Sequence, residues 1–312
     1  MLLNADAKGV FPIAPTPFFE DGAIDYASLD RLMDFYHASG CTGVTVLGQL
    51  GEAAKLDAAE ALQVASRAVA RSHGMPVVVG VSAPGFAAMR ALTHDVMALG
   101  AAGVMIAPPN TLRTDDQIVT YYRQAVEAIG DDVPFILQDY PLTFSVQMSV
   151  DVIRRIVTTL PSCVMLKHED WPGLEKISAL RRLVATGEMR HIAILCGNGG
   201  LFLNHELERG ADGANTGYAF PDMLCDTVRL HTEGRRDEMH DLFDAHLPLL
   251  RYEQQPGVGL AVRKYVLARR GLLSHATQRR PASQLTPAAM AEVEGLLSRL
   301  AQKDPRALRV EV

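Results

Sequence analysis

Three stretches repeat one pattern: SGCTGVTVLG at residues 39–48, LGAAGVMIAPP at 99–109 and RGADGANTGYAF at 209–220. Each reads Gly-x-x-Gly and runs into a short β-rich segment. The first glycines, Gly40, Gly100 and Gly210, suit the left-handed position that closes a helix. The second glycines, Gly43, Gly103 and Gly213, open a strand where backbones pack closely. One αβ turn written three times predicts repeated barrel units rather than an irregular α+β fold.

The same alternation extends in both directions. Short apolar runs at residues 10–14, 43–47, 77–81, 104–107, 135–138, 164–167, 192–196 and 213–216 read as strands. Segments with helical spacing follow them, at 26–39, 58–72, 87–99 and 117–129 among others. Strand–helix alternation implies βαβ units and a parallel sheet. Eight units by about residue 235 fit an α/β fold of the (β/α)8 TIM-barrel type. The structural competitor is a doubly wound open sheet. Beyond the eighth unit the pattern is helical, at 235–250, 258–268 and 287–302, with QQPGVG at 254–259 as a break. The chain therefore divides into a barrel over 8–234 and a C-terminal helical extension over 235–303, with DPRALRVEV at 304–312 read as a tail.

Bulk properties narrow the function classes. The chain has 312 residues, 48% of them hydrophobic and 21% charged, which fits a globular protein with a sizeable core. A net charge of −6 argues against nucleic acid as a partner. Charged or turn residues interrupt every apolar run, so no membrane partner is expected. The N-terminal MLLNADAKGV does not read as a signal peptide, and a cytoplasmic location is expected. Cys41, Cys163, Cys196 and Cys225 are widely spaced and read as reduced, mostly buried thiols.

In such a barrel the reactive groups lie at the C-terminal ends of the strands. Lys167 ends the run CVMLK, where an inward-pointing lysine would be buried. Buried lysines are rare unless paired or reactive, and burial favours the neutral amine that attacks carbonyls. The alternative is a strand-end lysine that reaches solvent or pairs with Glu169. Glu169 shares the strand parity of Lys167 and is placed for general acid/base work, or for a plain ion pair. His168 has the opposite parity and is expected to face the helices. Gln138 and Tyr140 form another same-parity pair ahead of Pro141, and Tyr140 supplies either a phenol at the mouth or packing. GQLGE at 48–52 offers backbone N–H groups at Gln49, Leu50 and Gly51 for a substrate carboxylate, with Glu52 as a brace. Asn198, in the Gly-rich loop GNGG, and Asn215 are candidate contacts to the rest of a substrate. Dinucleotide and Walker patterns are absent, which argues against a nucleotide-linked oxidoreductase.

At these residues the chain resembles the dihydrodipicolinate synthase/N-acetylneuraminate lyase family. APTPF at 14–18, Gly-x-x-Gly-Glu at 48–52, a fifth strand ending at Pro141 and a lysine on the sixth strand come in that family's order. The resemblance spans roughly residues 8–300. It implies a TIM barrel, a Schiff base between Lys167 and a 2-keto acid, no metal and no cofactor, and a homotetramer built as a dimer of dimers. The departures are specific. Gln49 and Leu50 stand where the family usually carries two hydroxyl residues. Gln138-Asp139-Tyr140-Pro141 replaces Tyr-Asn-x-Pro. Leu142-Thr143-Phe144 lacks the arginine that dihydrodipicolinate synthase uses, and PPNTLR at 108–113 lacks a tyrosine. These losses argue against dihydrodipicolinate synthesis itself. Lys-x-Glu, Gln-Asp-x-Pro and the segment LPLLRYEQQPGVGLAVRKYVLARRG at 247–271 resemble the 2-keto-3-deoxy sugar acid dehydratase subgroup.

The expected function is therefore a Schiff-base lyase acting on a 2-keto acid, with dehydration of a 2-keto-3-deoxy sugar acid as the first reading. Lys167, Glu169 and Tyr140 are its expected catalytic residues. The alternatives are retro-aldol cleavage to pyruvate and an aldehyde, or a barrel that binds a keto acid without turnover.

Overall fold

The computed structural model describes residues 1–171 and 173–307. Among them, eight strands alternate with helices: β1 (Gly9–Pro12), α1 (Tyr26–Ala38), β2 (Val44–Val46), α2 (Ala58–Ala70), β3 (Val77–Gly80), α3 (Phe86–Ala98), β4 (Gly103–Ile106), α4 (Asp115–Ile129), β5 (Phe135–Asp139), α5 (Pro141–Phe144), α6 (Val150–Thr159), β6 (Cys163–His168), α7 (Leu174–Ala185), β7 (Ala193–Cys196), α8 (Leu203–Glu208), β8 (Gly213–Thr216) and α9 (Pro221–Thr232). Three longer helices follow, α10 (Arg236–Glu253), α11 (Gly259–Arg269) and α12 (Pro287–Leu300).

Every strand pairs in parallel with its sequence neighbour from β2 through β8, and β8 pairs with β1. Between β1 and β2 the ring closes through an Ile13–Thr45 bridge and an Ala14 N–H to Thr45 O hydrogen bond of 2.9 Å. The sheet is thus a TIM barrel and not an open doubly wound sheet.

The glycine pairs explain the repeat. Gly40, Gly100 and Gly210 have φ of 78°, 99° and 96°, the left-handed values at which a Cβ is strained. At Gly213 an added Cβ would lie 1.9 Å from the backbone oxygen of Gly9, so any side chain there would push β1 and β8 apart.

Two apolar layers form around the strands. Phe11, Val78, Met105, Ile136, Met165 and Leu195 fill the barrel interior. The opposite strand faces pack under the helices in one continuous core. Toward the C-terminal ends the interior turns polar, with Thr45, Gln138, Lys167 and Asn215 all buried. Burial of polar groups costs free energy unless they are hydrogen-bonded or functional, so this change of character locates the site.

Three expectations need adjustment. Helix α4 begins at Asp115 rather than at 117, because Thr114 and Gln117 form a capping box. Helix α10 runs to Glu253, which is buried, instead of ending at 250. Residues 304–307 are not a loose tail: Pro305–Ala307 form a 3-10 turn with Ala307 buried, and Asp304 binds His246 and Arg306. Residues 308–312 lie outside the described residues. The cysteines are free thiols, buried at 41, 163 and 196 and half-buried at 225. Among the described residues no helix is long and apolar enough to cross a membrane.

Candidate active site at the barrel mouth

A cavity of about 900 Å³ opens over the C-terminal ends of β5 and β6. Its floor and walls include Gln138, Tyr140, Lys167, Glu169 and Asn198, with Gln49 and Leu50 from the loop after β2. The turn between α10 and α11 forms the opposite wall through Glu253, Gln254 and Arg263. A larger hollow of about 1350 Å³ lies beside the 275–285 segment. It contains neither Lys167 nor Glu169, so size does not mark the site in this molecule.

Strand pairing sets the geometry. β5 and β6 align Gln138 with Lys167, and both side chains enter the barrel at one level. Lys167 is only 4% exposed, and its Nζ lies 3.3 Å from Glu169 Oε2. Gln138 Nε2 donates to the same oxygen at 2.8 Å. Glu169 Oε1 accepts from the Asn198 backbone N–H at 3.2 Å, and Asn198 Nδ2 donates to the Glu169 carbonyl at 2.9 Å. The carboxylate is therefore fixed by donors on β5, β6 and the loop after β7. Gly197 makes room for it, since a Cβ there would sit 2.1 Å from Glu169 Cγ.

His168 points the other way, as parity predicts. Its Nε2 lies 3.1 Å from the Gly173 carbonyl and its Nδ1 lies 3.7 Å from Asp139. Asp139 pairs with Lys176 at 2.6 Å, forming a charged layer behind the strands. Glu206 on α8 lies buried near this layer, and burial pushes its carboxyl up to about 7.

Tyr140 precedes the short helix α5 and half-faces the cavity. Burial raises its phenol above the usual value, and the nearby Glu169 charge raises it further, so it enters the site as a neutral donor.

Two predicted contacts lie outside the cavity lining. The loop after β2 folds into a 3-10 turn, Gln49–Gly51, in which the Gly51 N–H donates to Gly48 O at 3.0 Å. Gly51 O accepts from Thr16 Oγ1 at 2.6 Å, so Gly51 faces β1 rather than a ligand. The next N–H, of Glu52, is taken by Gln49 O at 2.9 Å. Asn215 lies beneath the floor, and its Nδ2 donates to Thr45 Oγ1 at 3.2 Å.

Two cations on α11 were not singled out from sequence. Arg263 is 3% exposed, and its Nε donates to Glu253 Oε1 at 2.5 Å. Its Nη1 is buried and has no protein acceptor among the described residues. Glu253 is pushed up by burial and drawn back by this arginine. The neighbouring Lys264 is fully buried, and burial lowers its ammonium to about 8. Its three N–H groups go to Thr16 O at 2.8 Å, to Thr277 O at 2.9 Å and to Glu52 Oε1, so it braces the loop after β2. The sequence signal was the adjacent pair Arg263-Lys264 inside an otherwise apolar helical run.

The Dihydrodipicolinate synthetase family model matches residues 6–300. The L-2-keto-3-deoxyarabonate dehydratase of Azospirillum brasilense is 29% identical over 308 residues, covering 97% of this chain and 96% of that protein. The 4-hydroxy-tetrahydrodipicolinate synthase of Laribacter hongkongensis is 33% identical over 154 residues, 49% of this chain and 52% of that protein. Among solved structures, the dihydrodipicolinate synthase of Rhodopseudomonas palustris superposes with a TM-score of 0.95 at 66% identity, covering 96% of this chain and 99% of that one.

Proposed function

The chain belongs to the dihydrodipicolinate synthetase family, and on that premise we propose that it is a lyase in which Lys167 forms a Schiff base with a 2-keto acid and dehydrates a 2-keto-3-deoxy sugar acid. The observation that carries the reading is the buried Lys167–Glu169 pair, 3.3 Å apart in a cavity large enough for a sugar acid. The end-to-end match to a keto-deoxy sugar acid dehydratase supports the substrate class.

The steps follow from the contacts. Glu169 takes a proton from the Lys167 ammonium, and the free amine attacks the C2 carbonyl. Glu169 returns that proton to the carbinolamine hydroxyl, which leaves as water and gives a protonated imine that acidifies the C3–H. Glu169 removes that proton, and the electron pair passes into the C2–C3 enamine. Return of the pair expels the C4 hydroxyl, which takes the C3 proton back from Glu169 and leaves as water. Hydrolysis of the imine then frees Lys167 and the unsaturated keto acid. Gln138 and the Asn198 N–H hold Glu169 in place, and Tyr140 donates to a substrate oxygen.

A second reading is condensation of pyruvate with an aldehyde, favoured by the name of the 66% identical R. palustris structure. The stretch 142–144 without arginine and Gln138 in place of a phenol weigh against it. Retro-aldol cleavage would start from the same imine. We also propose a cytoplasmic homotetramer, which light scattering on the purified chain tests.

The decisive experiment incubates the protein with pyruvate or a 2-keto-3-deoxy sugar acid, reduces with borohydride and maps the adduct. An adduct on Lys167 is expected, with a dehydrated product and no pyruvate from the sugar acid. Pyruvate release would replace dehydration by cleavage. No adduct with any of several 2-keto acids would remove the Schiff-base reading.

A further inference from the structure

A 2-keto acid brings a carboxylate into the cavity, where the loop after β2 has no side-chain hydroxyl to offer it: Gln49 and Leu50 line the wall, the N–H groups of Gly51 and Glu52 are already bonded, and those of Gln49 and Leu50 alone are left to meet the charge. The cations that line the cavity are Lys55, Lys167 and Arg263. Lys167 is committed to the reacting carbon. Lys55 is paired with Glu52 at 2.7 Å. Arg263 is different. Its Nε is held by Glu253, whose other oxygen is fixed by the Ala219 N–H at 3.3 Å. Its Nη1 is buried without an acceptor, although a guanidinium N–H has donor capacity that a folded chain normally satisfies.

The surroundings show that this position is built. A Cβ on Gly217, just beyond β8, would lie 2.3 Å from Arg263 Nη1 and 2.7 Å from Leu50 Cδ1. The guanidinium thus lies over the end of β8, against the loop after β2. The turn that leads into α11 packs against the loop after β7 at Gly199 and closes tightly on itself at Gly259. A Cβ on Gly199 would strike Gln254 Nε2 at 2.1 Å, and one on Gly259 would strike Glu253 O at 2.2 Å.

We propose that Arg263 is the cationic carboxylate-binding residue of this site: its Nη1, beside Leu50 and Gly217, takes the C1 carboxylate of the 2-keto acid together with the free N–H groups of Gln49 and Leu50, while Nε stays on Glu253. The assignment rests on the Schiff-base reading above. It makes the C-terminal extension part of the active site, with specificity for the anionic end of the substrate delivered from α11. Orientation follows as well, because a carboxylate anchored there and an imine at Lys167 fix both ends of the C1–C2 bond.

The test measures borohydride-trapped adduct on Lys167 against ligand concentration, with pyruvate, with a 2-keto-3-deoxy sugar acid and with neutral hydroxyacetone. Arg263→Met leaves Glu253 without its partner, so the double variant Arg263→Met/Glu253→Gln is made alongside it and checked for folding by circular dichroism. Loss of a charge-assisted hydrogen bond raises the half-saturating pyruvate concentration roughly 10- to 100-fold in the double variant. Half-saturation by hydroxyacetone changes less than about 3-fold, because that ligand has no carboxylate to lose. A purely structural role for Arg263 would weaken both ligands alike, and that result overturns the assignment. So does unchanged pyruvate trapping, or a loss seen only with the longer sugar acid, which would put Arg263 at the distal end. Wild-type protein that gives no adduct on Lys167 would overturn the Schiff-base reading and this assignment with it. An adduct in wild type with unchanged variants would overturn the assignment alone.

Discussion

Glu169→Gln separates imine formation from the proton transfer that follows it. The carboxylate accepts from Gln138 Nε2 at 2.8 Å and from the Asn198 N–H at 3.2 Å, and Lys167 Nζ lies 3.3 Å away. An amide has one acceptor oxygen where the carboxylate has two. With that oxygen on the Asn198 N–H, its NH2 faces Gln138 and Lys167. Gln138 can flip its own amide to accept, but Lys167 loses its carboxylate partner. Lys167 itself is untouched, so borohydride still traps a keto acid on it. Dehydration, which needs a base at C3, falls by about 100- to 10,000-fold in kcat, the usual worth of a positioned general base. Breaking a buried ion pair by removing one partner costs about 3–5 kcal/mol when the other stays charged. A drop of several degrees in Tm is therefore expected. The assay is product formation from the sugar acid beside adduct yield on the same preparation. Turnover within about 3-fold of wild type would refute the role of Glu169, and loss of the adduct in folded protein would mean that Glu169 acts before the imine forms.

Gly197→Ala puts a Cβ 2.1 Å from Glu169 Cγ, so the carboxylate must move; kcat should fall at least about 10-fold with adduct trapping retained, and unchanged kcat would show that Glu169 tolerates displacement. Glu206 tests pH dependence. Burial raises its carboxyl from 4.5 to about 7, so its contribution to stability is full below pH 4.5 and is lost as pH rises to about 7. Glu206→Gln should therefore stabilise the protein at pH 8 by up to about 3 kcal/mol relative to its effect at pH 4, and denaturant melts showing equal effects at both pH values would contradict this. Lys264→Met leaves the buried Glu52 with Lys55 and the Arg279 N–H as its partners and should cost about 3–5 kcal/mol in denaturant melts without changing adduct yield per folded molecule, which mass spectrometry of the soluble fraction reads.

The strands were legible because β-branched runs sit between glycines whose backbone values only glycine takes easily. Helix ends were less so: Gln117 reads as a helical residue, whereas its side chain belongs to the cap that starts α4 two residues earlier. The β5 and β6 side of the cavity followed from parity, since alternate residues on neighbouring parallel strands enter one layer. Gly51 was expected in the site for its backbone N–H in the GQLGE loop, and Asn215 because it stands at the C-terminal end of the eighth strand. Which amide a 3-10 turn consumes, and which interior layer an asparagine occupies, depend on packing that a linear reading does not hold. Arg263 and Glu253 were out of reach for a different reason. Nothing in helical periodicity says that α11 folds back over the barrel mouth.

Burial alone would point to Lys264 rather than to the proposed Lys167. Lys264 is less exposed than Lys167, and desolvation lowers its ammonium to about 8. By the usual criterion of a perturbed buried amine it is the stronger nucleophile. Yet Thr16 O, Thr277 O and Glu52 use all three of its N–H groups, and a Lys264 that became an amine would leave one of those acceptors unserved. It also does not line the cavity. Lys167 has one near partner, and that partner is a carboxylate able to take its proton. The proposed reactivity of Lys167 requires a lone pair that can be freed without breaking structural hydrogen bonds and space in front of it. Both conditions come from the ends of β5 and β6, with Gly197 clearing the room that Glu169 needs.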